Sequence, residues 1–171
     1  MKTSRRILIA VALVTAAAAA TAALALGGGT AGAPRKAMVT SHHLRAETVL
    51  GSYCSNGETE AGQGVAGCAD SEYPLHPRAF LPITPNSSVR VNLRKATKHV
   101  RANLVKGLDA PYGFVGPELA AKPVPGSNHR VWRLRLPGDL HDADAIALFA
   151  RFREGGDADQ WVGVKPVERW P

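Results

Sequence analysis

Seven arginines recur in strict alternation with apolar residues. Arg90 and Arg94 interleave with Val89, Val91 and Leu93, and Arg101 with Val100 and Ala102. Arg133 and Arg135 interleave with Trp132, Leu134 and Leu136, and Arg151 and Arg153 with Ala150 and Phe152. A guanidinium pairs with a carboxylate or phosphate through two parallel N–H···O bonds, so several on one surface can hold an anionic polymer or a headgroup. The competing role for such arginines is to solvate the outer face of a sheet and to discourage edge-to-edge association. Arg133, Arg135, Arg151 and Arg153 are the expected ligand contacts.

Acid–base chemistry has one rival candidate. His141 beside Asp142, with Asp144 two residues on, supplies the residue types of a small hydrolase. The same acidic residues also belong to two Asp-Ala-Asp triplets, Asp142 to Asp144 and Asp157 to Asp159, preceded by Asp139. Calcium takes six to eight oxygen ligands. The triplets flank opposite ends of one expected strand, about 30 Å apart at ~3.3 Å per residue, so each could serve only a separate site. His42, His43, His76, His99, His129 and His141 are scattered, and adjacent residues of a strand such as His42 and His43 face opposite sides. Gly62 to Gly67 spells G-x-G-x-x-G. A dinucleotide site needs a strand before that motif and a helix after it, whereas here the run leads directly into Cys68; a glycine loop is expected instead. No G-x-S-x-G elbow, S-x-x-K or H-E-x-x-H run occurs. The expected set therefore contains no catalytic residue, no cofactor and no metal ligand.

The elements that must carry these residues are strands. Besides the arginine-bearing runs, Ile146 to Phe152 alternates with a period of two, and Thr48 to Tyr53, Gln160 to Lys165 and a weaker Met38 to Leu44 are further candidates. Trp132, Leu134, Leu148 and Phe152 are the expected core. Turn-rich breaks fall at Pro82 to Asn86, Lys106 to Pro111, Lys122 to Ser127 and Pro137 to Asp139. Only Glu118 to Lys122 and Asp142 to Ala147 have a helical cast, and both are too short to be stable alone. Many short strands joined by turns predict an all-β fold, an immunoglobulin-like antiparallel β-sandwich.

The N-terminus supplies an address. A basic start, Met1 to Arg6, precedes an alanine-rich stretch from Ile7 to Leu26 that carries no charge, the layout of an export signal. Cleavage sites fall after Ala33 or after Ala25, and the alternative is an uncleaved membrane anchor. The expected organisation is a signal or anchor over 1–33, a linker over 34–38 and one domain over 39–171. The chain's formal charge is +7, and losing Lys2, Arg5 and Arg6 with the signal lowers it to +4, with no basic block to suggest a nucleic-acid partner. Cys54 and Cys68 are the only cysteines, and an even count in an exported chain reads as a disulfide.

Gly51-Ser52-Tyr53-Cys54, Cys68-Ala69-Asp70, the arginine-rich strand from Trp132 to Leu136-Pro137, and Phe152 followed by Gly156-Asp157-Ala158 form an ordered series. The series resembles small exported bacterial β-sandwich proteins of uncharacterised function, and departs from them at Ser55, where those carry tryptophan. The resemblance spans most of Val49 to Val164 and implies a fold and a compartment, but no chemistry. The expectation is an extracellular or cell-surface, non-catalytic envelope module. It binds an anionic envelope polymer or a protein partner, and meets the membrane only through an uncleaved N-terminus. The alternatives are a small extracellular hydrolase and a purely structural spacer.

Overall fold

A computed structural model describes residues 32–58, 64–108 and 114–168. The signal or anchor segment lies outside these residues. In chain order the strands are β1 (Met38–Ser41), β2 (Leu44–Glu47), β3 (Val49–Glu58), β4 (Gly64–Ala69), β5 (Phe80–Ile83) and β6 (Ser88–Asn92). They continue with β7 (Thr97–Lys106), β8 (Phe114–Glu118), β9 (Ala120–Pro123), β10 (Val131–Arg135), β11 (Ala145–Phe152) and β12 (Asp157–Pro166). No helix occurs among the described residues.

Two sheets form. The first has the order β2-β1-β6-β10-β9, and the second β4-β3-β12-β11-β7-β8. All of these neighbours are antiparallel; β5 alone is parallel, beside the second half of β12 from Gly163↔Phe80 to Pro166↔Ile83. The alternation read from the sequence decides which residues face inward. Val39, Val89, Val91, Trp132 and Leu134 of the first sheet share one core with Val100, Ala102, Leu104, Ile146, Leu148, Ala150, Phe152, Val162 and Val164 of the second. The architecture is thus a two-sheet β-sandwich, with all four expected core residues, Trp132, Leu134, Leu148 and Phe152, inside it.

Several local expectations differ from the structure. Glu118 to Lys122 has helical composition but lies in β8 and β9. The chain steps from one sheet to the other at buried Leu119, whose N–H donates to the Ala102 carbonyl at 2.7 Å. Pairing of β8 with β7 and of β9 with β10 overrides a weak local preference there. Pro82 and Ile83 extend a strand rather than open a turn. A proline is tolerated because β5 has a hydrogen-bonded neighbour on one side only. His42 and His43 form the β1–β2 turn, with His42 at φ 53°, so they do not occupy opposite faces of one strand. Within the glycine run, Gly64 to Gly67 belongs to β4, paired along β3; the residues before it lie outside those described.

The packed domain begins before Val39. Ala37 is fully buried, and its N–H donates to Gln160 Oε1 at 2.6 Å and to Thr48 Oγ1 at 2.9 Å. On the outer face of the second sheet, the segment between β4 and β5 lays Leu75 and Tyr73 over Trp161, Val105 and Ala145. Gly51 permits this approach, because a Cβ there would sit 2.8 Å from Leu75 Cδ1 and 3.0 Å from the Tyr73 hydroxyl.

Candidate anion-binding face

The register of the first sheet gathers the cations. Thr40 of β1 pairs with Arg45 of β2 on one side and with Arg90 of β6 on the other. Arg90 stands opposite Arg133 of β10, and Arg133 opposite Lys122 of β9. Residues paired across a sheet project to the same side. Arg45, Thr40, Arg90, Arg133 and Lys122 therefore form one row across all five strands, on the face turned away from the core. Arg135, two residues beyond Arg133, lies on the same face beside Ser88 and Ala120. All five cations are exposed.

The row is electrostatically one-sided. None of these five side chains has a carboxylate partner within ion-pair distance among the described residues. Like charges placed directly opposite on neighbouring strands destabilise a sheet, by about 0.2–1 kcal/mol per pair. The neighbouring row is nearly neutral, running Met38, Asn92 and Val131 to an end at Glu47, whose carboxylate faces Arg94 Nη2 at 3.8 Å. Two shallow depressions lie on the face, one on either side of the row. One is about 250 Å³, lined by Met38, Thr40, Arg45, Arg90, Asn92 and Val131. The other is about 300 Å³, lined by Ser88, Ala120, Lys122, Arg133 and Arg135.

The other expected contacts lie elsewhere. Arg151 is on β11 in the second sheet, opposite Asp157 and His99. Arg153 is in the β11–β12 turn, where its Nε–H donates to the Thr97 carbonyl at 3.4 Å. Arg101, also on the second sheet, faces Glu118 at 3.8 Å. Of the four expected contacts, then, Arg133 and Arg135 share a face, and Arg151 and Arg153 do not join them. Arg45 and Lys122 were not singled out from sequence; the sheet register alone places them beside Arg90 and Arg133.

The residues of the hydrolase alternative are separated in role. His141 Nδ1 lies 2.6 Å from Asp142 Oδ2, but both side chains are largely exposed, with no surrounding wall to exclude water. Asp144 is engaged structurally: its Oδ2 accepts the Gly107 N–H at 2.6 Å and the Leu108 N–H at 3.4 Å. Asp139 Oδ1 accepts the His141 N–H at 2.9 Å, closing a turn. Among the described residues, no three His, Cys, Asp or Glu side chains are grouped to hold a metal ion.

Asp159 is bound up with Tyr73. The Tyr73 hydroxyl donates to Asp159 Oδ2 at 2.8 Å. Burial pushes the Asp159 carboxyl above the usual carboxylate range, with Asp157 adding to the rise and the Tyr73 hydrogen bond opposing it. Burial likewise raises the Tyr73 phenol.

Cys54 and Cys68 are disulfide-bonded. They stand opposite each other on β3 and β4 with Cα atoms 4.1 Å apart, the close spacing of a non-hydrogen-bonded antiparallel pair. Such a bond is typical of proteins in oxidising, extracellular surroundings. No helix among the described residues is long and apolar enough to cross a membrane. No family model, curated protein or solved structure matches the chain.

Proposed function

We propose that this chain is an exported, non-catalytic cell-envelope module that holds an anionic surface component on the outer face of its first sheet. The observation that carries this reading is the row Arg45, Arg90, Arg133 and Lys122, with Arg135 beside it and, among the described residues, no carboxylate within ion-pair distance of the five. Those groups stand together at an electrostatic cost to the free protein, which a bound oxyanion would offset through charge-assisted hydrogen bonds. The disulfide, the export-type N-terminus and the resemblance to exported β-sandwich proteins support the compartment. Face-to-face antiparallel sheets support an immunoglobulin-like architecture in the broad sense. The disulfide joins neighbouring strands of one sheet, whereas the antibody-domain bridge links the two sheets.

The test is co-sedimentation of the purified full chain, in non-ionic detergent, with isolated cell envelopes across a salt series. Binding should fade as salt rises from low to moderate strength, because exposed charges are screened within about 10 Å at 0.1 M. It should also be lost in the double variant Arg133→Ala/Arg135→Ala. Salt-insensitive binding would point instead to a protein partner held by apolar contacts, and absence of binding at every salt would remove the envelope-binding reading.

A further inference from the structure

The arrangement of the cations says more than their number. They are not a cluster but a line, one residue wide along the strands and five strands long across them. Neighbouring strands are about 4.8 Å apart, so the four gaps from Arg45 on β2 to Lys122 on β9 cover about 19 Å. One position in the line, Thr40, is uncharged but polar, with a hydroxyl suited to donate to an oxyanion. On one side the line is bounded by Met38, Asn92 and Val131, a neutral run that ends at Glu47, which faces Arg94. On the other lies Arg135, next to Ser88 and Ala120. The two depressions border the line on opposite sides, the first between it and Met38, Asn92 and Val131, the second between it and Ser88, Ala120 and Arg135.

From this we infer that the ligand is a linear polymer bearing repeated oxyanions, lying across the strands from β2 to β9. This rests on the anion-binding reading above and makes it specific. A single phosphate, or a short anion, can engage two neighbouring members of the line at once, such as Arg90 and Arg133. Only a chain of about 19 Å or more reaches both Arg45 and Lys122. Affinity accumulates along such a polymer because each further contact is made at a high effective concentration. Four of the five cations are arginine, whose planar fork fits carboxylate and phosphate alike, so the repeated group is defined as an oxyanion of either kind.

The full chain in non-ionic detergent is titrated with inorganic orthophosphate, with tripolyphosphate, with long-chain polyphosphate and with polygalacturonate of similar length. The variants are Arg45→Gln, Arg90→Gln, Arg133→Gln, Lys122→Gln and, as a control on the other sheet, Arg151→Gln. A long polymer should bind at least tenfold more tightly than tripolyphosphate, and orthophosphate more weakly still. Whichever long polymer binds identifies the oxyanion as phosphate or carboxylate. Arg45→Gln should weaken the long polymer several-fold while leaving tripolyphosphate unchanged, and Arg151→Gln should leave both unchanged. If Arg90→Gln and Arg133→Gln weaken binding but Arg45→Gln and Lys122→Gln do not, the site is compact and the cross-strand track is wrong, although the anion-binding face stands. If Arg151→Gln weakens binding as much as Arg45→Gln, attraction is diffuse and the track is equally wrong. If no anion binds in a salt-dependent way, the anion-binding reading itself fails, and the track with it.

Discussion

Arg133 on β10 stands directly across from Arg90 on β6, two guanidinium-bearing side chains on one exposed face with no carboxylate partner for either among the described residues. This pairing costs stability in the free protein, so removing one charge should relieve it. Arg133→Gln is expected to raise the urea midpoint slightly at low salt, equivalent to about 0.2–1 kcal/mol, and to lose that advantage as salt screens the pair. The same variant should bind the anionic ligand less well. A variant that is both less stable and unaltered in binding would contradict this account of the pair.

The Cys54–Cys68 bridge closes a loop of 14 positions and ties β4, at the edge of the second sheet, to β3. Replacing both residues by serine should lower the unfolding free energy by about 3 kcal/mol, measured by urea denaturation under non-reducing conditions. Reduction of the unmodified protein should bring its midpoint down to that of the variant.

Trp132 is anchored in the core through its indole N–H, which donates to Thr97 Oγ1 at 2.7 Å and to the His129 carbonyl at 3.1 Å. The Thr97 hydroxyl itself donates to the His129 carbonyl at 2.8 Å. Thr97→Val keeps the shape but removes the hydroxyl from a fully buried position, and should cost about 1–3 kcal/mol. Thr97→Ser retains the hydroxyl and should cost less. Chemical denaturation followed by tryptophan fluorescence compares the two.

The carboxyl of Asp159 is raised in the folded protein, chiefly by burial. Between its unfolded and folded pKa values the native state binds more protons, so this group's contribution is fully present below the unfolded value. It is lost as pH rises through the folded one. Asp159→Asn keeps an oxygen to accept the Tyr73 hydroxyl and should flatten that part of the stability–pH profile. The variant should gain relative to the unmodified protein as pH rises from acid toward neutral. An unchanged profile would show that Asp159 titrates alike in the folded and unfolded chains.

Much of the fold was legible because side-chain alternation is a local property. A period of two placed Val89, Val91, Trp132, Leu134, Leu148 and Phe152 on inward faces before any pairing was known, and all six are buried. The strands that escaped notice lack this signal. β4 is a run of glycine, alanine and cysteine around one valine, and β9 is Ala-Ala-Lys-Pro; both hold their place through pairing with β3 and β10. Pro82 to Asn86 reads as a turn, yet Pro82 and Ile83 close the strand Phe80–Ile83, which is held by its parallel partner β12.

The candidate face divides in the same way. The sequence by itself determined that Arg133, Arg135 and Arg151 point outward, since each alternates with a buried neighbour, and that Cys54 and Cys68 are the only pair available to bridge. It could not determine which outward-facing arginines share a surface, because strand order follows from contacts between residues far apart in the chain. The tertiary structure set β2, β1, β6, β10 and β9 side by side, bringing Arg45 and Lys122 into line with Arg90 and Arg133. It also sent Arg151 to the opposite sheet, although its local sequence pattern resembles theirs. Alternation fixes which way a side chain points within its own strand, and only the hydrogen-bonded register between strands fixes what stands next to it.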